Sequence, residues 1–226
     1  MNQSVRPLLR YRLFVFGLAL VYWLYQFKAV GSGFGWQFRY LTIWALTLSL
    51  ISAAAMLRHS LGRGGPPYAL AAVTAVVNGL VVLSYWRLYF TDPSLVNSAG
   101  IAWWQEYYLH LVGPVLQWID ALVLFGAFRK PWRTLGWLVT LILAYVGWIE
   151  LAVQPRLDWP QGSVTSGLPY PFLNDMAFDA RLGFYAATGL SGLVLLAAGT
   201  GATWARRRVL QVSESSSARS PSRYDG

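Results

Sequence analysis

Histidine is the side chain best suited to moving a proton near neutral pH, and this chain has two, His59 and His110. His110 stands inside an apolar run, 101–128 (IAWWQEYYLHLVGPVLQWIDALVLFGAF), that also carries Glu106, Pro114 and Asp120. Ionisable groups within a membrane span are costly to keep there, so a site is the default reading and bridging between helices the other. Glu106 precedes His110 by four residues, which puts both on one helix face and lets the carboxylate orient the ring. A threonine hydroxyl becomes a nucleophile once a base takes its proton, and Thr42 opens a different apolar run. Arg39, Arg87 and Arg181 are candidates to hold a carboxylate or an oxyanion. Asn78 and Glu150 are further polar groups in apolar surroundings. Asp120 has no evident cationic partner, and Asn78 is a group it could face. None of this spacing is a motif, and a span threonine commonly bonds back to its own helix.

The elements that must position these residues are membrane helices. The chain has 226 residues, 56% hydrophobic and only 12% charged, about half the charge of a soluble domain. Six runs approach or exceed the ~20 residues that cross a bilayer: 11–27, 39–57, 68–90, 101–128, 132–151 and 180–204. The expected fold is therefore all-α, an integral six-helix bundle over 1–205, followed by a disordered basic and Ser-rich cytoplasmic tail over 206–226. Basic residues stay cytoplasmic. With both termini inside, thirteen of the eighteen Lys and Arg residues fall on the inner side and five on the outer. Thr42, Arg87, His110, Glu150 and Arg181 then lie at similar depth near the outer interface.

Composition excludes several classes. The absence of cysteine removes disulfides, thiol catalysis and thiolate metal sites, and no Gly-x-Ser-x-Gly elbow occurs. Haem ligation would need His59 and His110, which fall on opposite sides. Zinc would need more converging ligands, so neither a metal nor another cofactor is expected. The net charge of +9 flanks apolar runs, a pattern of topology signals and anionic lipid contact rather than of nucleic-acid binding. Sixteen of the eighteen basic residues are Arg, a bias of GC-rich genomes that points to a bacterial source and the inner (plasma) membrane. A six-span transporter using His110, Asp120, Asn78 and Glu150, or a lipid-binding scaffold, is the non-enzymatic alternative. The sequence specifies no oligomeric state.

Three blocks carry a family resemblance. They are Trp36-Gln37-Phe38-Arg39-Tyr40-Leu41-Thr42, Leu109-His110-Leu111-Val112-Gly113-Pro114 with Asp120, and Pro169-Tyr170-Pro171-Phe172-Leu173 followed by Ala180-Arg181. In this order and within six spans, they resemble the androgen-induced-gene / androgen-dependent TFPI-regulating protein family of multispan membrane hydrolases. Its members hydrolyse fatty acid esters of hydroxy fatty acids with a Thr nucleophile and a His. The resemblance maps those roles onto Thr42 and His110 and implies a lipid or acyl ester as substrate, with membrane lipids as neighbours. Tyr170 reads as an interfacial anchor or as pocket lining, and Arg181 as snorkelling to head groups or gripping a carboxylate.

Overall fold

The computed structural model describes residues 5–27, 35–96, 101–156, 168, 170–174 and 176–218. Six long helices carry the fold among them: α1 (Val5–Gln26), α2 (Leu41–Ser60), α3 (Tyr68–Thr91), α4 (Trp103–Leu124), α5 (Pro131–Arg156) and α6 (Phe178–Ala218). All six are long and apolar enough to cross a membrane, and no strand occurs among the described residues. The protein is an integral, multi-pass, all-α membrane protein, as the apolar runs predict. Most ends are displaced by a few residues, and three by five or more. Helix α1 begins at Val5, before the expected start at Tyr11. Helix α5 runs to Arg156, past the expected end at Leu151. Helix α6 passes the Arg206–Arg208 stop and continues to Ala218, so the first part of the expected disordered tail is helical. Residues 219–226 lie outside the described residues, as do Pro169 and most of the segment before it.

Helix α3 is the centre of the bundle. From Ala71 to Val81 every residue is buried, because the run AAVTAVVNGLV is apolar or small on all sides. Small residues let helices approach closely where lipid removes the hydrophobic drive. A Cβ built on Gly79 would lie 2.8 Å from Leu195 of α6, and one on Gly199 of α6 would lie 2.5 Å from the Phe128 ring. Phe128 is buried. Replacing Gly199 by valine should therefore force the α6–Phe128 contact apart and lower thermal stability by about 1–3 kcal/mol. The replacement of the open Gly201, which meets nothing, is the control for that measurement.

Helix α4 is irregular where it matters. It widens into π turns at Tyr108–Val112 and Ile119–Leu124, and α5 does so at Trp148–Val153. These three turns hold His110, Asp120 and Glu150. Such bulges gather at functional or strained positions because the extra residue re-aims side chains. Just past the end of α4 the chain turns at Gly126, whose φ of 65° suits only a residue without Cβ penalty.

Candidate active site

Thr42 is the second residue of α2. Seven other described threonines (47, 74, 91, 134, 140, 188 and 200) donate their hydroxyl to a main-chain carbonyl, six of them four residues back. Thr42 departs from this habit for a local reason. The residue four positions back, Phe38, belongs to the 3₁₀ turn Trp36–Arg39, and its carbonyl already accepts the indole N–H groups of Trp44 and Trp148. That turn is entered through Gly35 at φ 82°, a conformation open to glycine. The Thr42 Oγ1 lies instead 3.4 Å from His110 Nε2, at the long end of hydrogen-bond range.

His110 is buried and held on every side. Tyr85 of α3 stacks on the imidazole, with ring centres 3.6 Å apart and planes within 8°. Pro114 has no N–H to give the His110 carbonyl, and Trp86 supplies the missing donor, its indole N–H reaching that oxygen at 2.9 Å. The ring's Nδ1 lies 3.0 Å from the Glu106 carboxylate and 3.1 Å from the Glu106 main-chain carbonyl. Direction favours the carbonyl as hydrogen-bond acceptor, and the carboxylate acts through charge. Acceptors on Nδ1 fix the proton there and leave Nε2 to take one from Thr42. The first N–H groups of a helix lack internal partners and carry partial positive charge. Residue Tyr40 at the start of α2 adds no side-chain cap. An anionic oxygen formed beside Thr42 would face that end of α2.

The other sequence candidates separate from this pair. Asp120 does not face Asn78 and does not lack a cation. Arg12 of α1 reaches it with two nitrogens, Nη2 at 2.8 Å and Nε at 3.0 Å, and also bonds Ser60 and the Met56 carbonyl. Asn78 donates to Ser49 and to the Thr74 carbonyl. Glu150 and Arg181 form a two-point pair, both contacts 2.8 Å, joined by the Tyr185 hydroxyl and the Met176 carbonyl. Arg181 is thus a strut between α5 and α6, neither snorkelling nor open to a substrate. Arg39 is buried beside Tyr40, and its carbonyl accepts the Tyr145 hydroxyl. Tyr170 is half-buried, and desolvation pushes its phenol up to about 12. It lines an apolar cavity of about 50 Å³ with Leu41, Leu80 and Tyr145. Arg87 is exposed and lines a neighbouring cavity of about 330 Å³ with Phe172 and Ser191. Leu80, Ser84, Leu88, Phe184 and Thr188 wall both cavities.

Tyr85, Trp86 and Arg12 were not among the residues singled out for a role. Pro114 was the available signal for Trp86, since a proline in a span leaves a carbonyl needing a donor. The family model described as FAR-17a/AIG1-like protein matches residues 9–202. No curated protein and no solved structure matches the chain. The six spans and a match over most of their length have one reading: the chain belongs to the FAR-17a/AIG1-like family, that of the androgen-induced-gene and androgen-dependent TFPI-regulating proteins.

Proposed function

We propose that the protein is a membrane-embedded hydrolase of lipid esters, with Thr42 as nucleophile and His110 as base. The observation that carries this reading is the 3.4 Å approach of the Thr42 hydroxyl to His110 Nε2, with Nδ1 turned to Glu106. His110 takes the hydroxyl proton as Oγ1 attacks the ester carbonyl, and the tetrahedral oxyanion faces the N-terminus of α2. Collapse breaks the C–O bond to the leaving alkoxide, which receives that proton from His110. The acyl group is then on Thr42. Water, deprotonated by His110, attacks the acyl carbon, and the fatty acid leaves as the Thr42 hydroxyl is restored. The family resemblance supports fatty acid esters of hydroxy fatty acids, or similar acyl esters, as substrates.

The two adjoining cavities between α3 and α6 suit the apolar part of such a molecule. Arg87 at the wider one suits a free carboxylate. Replacing Arg87 by alanine should raise KM about tenfold for esters that carry a free carboxylate and leave KM for their methyl esters unchanged. The kcat should stay within about twofold for both. An equal change for both substrates would remove Arg87 from the site.

Of the groups the transporter alternative would use, Asp120 and Glu150 are each tied to an arginine, which favours the hydrolase reading. Purified protein in detergent, given an ester of a hydroxy fatty acid, should release fatty acid detectable by mass spectrometry. No release across several acyl lengths, with lipid added back, would return the scaffold reading.

A further inference from the structure

A third cavity, of about 150 Å³, adjoins the site between α3 and α4. Its walls are five aromatic side chains, Tyr85, Trp86, Tyr89, Trp103 and Tyr107, with Ile101, and its one charged group is Glu106. Tyr85 and Tyr89 stack, with planes within 17° and centres 6.1 Å apart, and the remaining pairs meet at steep angles. Trp86 meets Tyr85, Tyr89 and Tyr107 at 88°, 74° and 62°, and Trp103 meets Tyr107 at 75°. Rings set at steep angles make walls around a space. Trp103 and Tyr107, 73% and 49% exposed, leave the cavity open at its rim.

The carboxylate makes this more than an interfacial belt of aromatics. Glu106 is 12% exposed, its Oε2 has no hydrogen-bond donor, and no Lys or Arg pairs with it among the described residues. Its ionisable neighbours in contact are His110 and Tyr85, whose hydroxyl donates to the carboxylate, and neither carries a permanent charge. A buried carboxylate without a permanent countercharge, beside several π faces, attracts a cation. A divalent metal would need six to eight oxygen ligands or a near-octahedral set, and a primary ammonium needs acceptors for three N–H groups. A methylated ammonium needs neither and is held by aromatic faces and one negative charge.

We propose that this cavity binds a quaternary ammonium group of the choline type. In the orientation that the basic residues favour, it opens at the outer interface, where both a choline lipid head group and a free choline-like cation have access. The cavity shares Tyr85 and Glu106 with the hydrolytic site, so binding is read without turnover, in the Thr42→Ala protein in maltoside detergent, and only cavity residues outside that site are varied. Choline chloride is titrated by calorimetry beside 3,3-dimethylbutanol, its uncharged isostere. Choline should bind saturably and at least about tenfold more tightly than the isostere. Tyr89→Leu and Trp103→Leu should each weaken choline severalfold without lowering the thermal midpoint. No saturable binding, equal binding of the isostere, or unchanged affinity in both variants would overturn the proposal. Repeating the titration in nanodiscs identifies the source. Phosphatidylcholine displacing choline, where phosphatidylglycerol does not, assigns the lipid head group. Equal choline binding in both lipids assigns the free cation, and either result sustains the site.

Discussion

Thr42→Ala and His110→Ala should each lower ester turnover by about 10⁴-fold or more while the protein remains folded. Residues that act as one unit lose most of the rate at the first deletion. The double variant should therefore be no slower than either single one. Thr42→Ser keeps the hydroxyl and should retain measurable turnover, whereas Thr42→Val, of similar shape, should not. Glu106→Gln leaves the main-chain acceptor of Nδ1 in place and removes only the charge that favours the imidazolium. It should slow turnover by a smaller factor, about 10- to 100-fold, in kcat rather than KM. The measurement is initial-rate release of fatty acid, with thermal midpoints recorded for every variant. Full activity in Thr42→Ala would end the nucleophile assignment even if His110 proved essential.

Asp120→Ala should cost stability. The Arg12–Asp120 pair is 3% and 8% exposed at its side chains, and it ties α4 to α1, while Arg12 continues to α2 through Ser60 and Met56. Removing the carboxylate leaves a buried guanidinium without its charge partner, a loss of about 3–5 kcal/mol. For a chain of this size that corresponds to a thermal midpoint lower by on the order of 10 °C. Replacing both partners, as Arg12→Met with Asp120→Leu, removes both buried charges and should recover much of the loss. Thermal unfolding in detergent checks this. A midpoint unchanged in Asp120→Ala would show that the pair contributes little.

The helical bundle was legible because its signal is length and apolar content, both local. Six runs of the right length gave six helices, with boundaries displaced by a few residues in most cases. The larger misses lie where local composition misleads. Arg206–Arg208 reads as a stop, yet a helix can pass into water without breaking, and nothing between Arg206 and Ala218 is a proline or glycine. Arg12 reads as a flank because Arg6 and Arg10 precede it. Its partner is 108 residues away, and helix rotation, which sets that pairing, leaves no local trace. The π turns are equally silent in sequence, although they re-aim His110, Asp120 and Glu150. Thr42 and His110 shared a depth by counting spans, but their contact depends on rotation too. Glu106 was the easier inference, since a spacing of four residues on a helix is geometry within one element.

The central claim is a covalent acyl-Thr42 intermediate. The protein is mixed rapidly with a fatty acyl p-nitrophenyl ester, quenched in acid at short times, digested and mapped by mass spectrometry. An acyl mass on the peptide containing Thr42, absent from Thr42→Ala and appearing with a burst of p-nitrophenol, is the result this account predicts. Turnover with no acyl group on Thr42, or an acyl group on another residue, would contradict it.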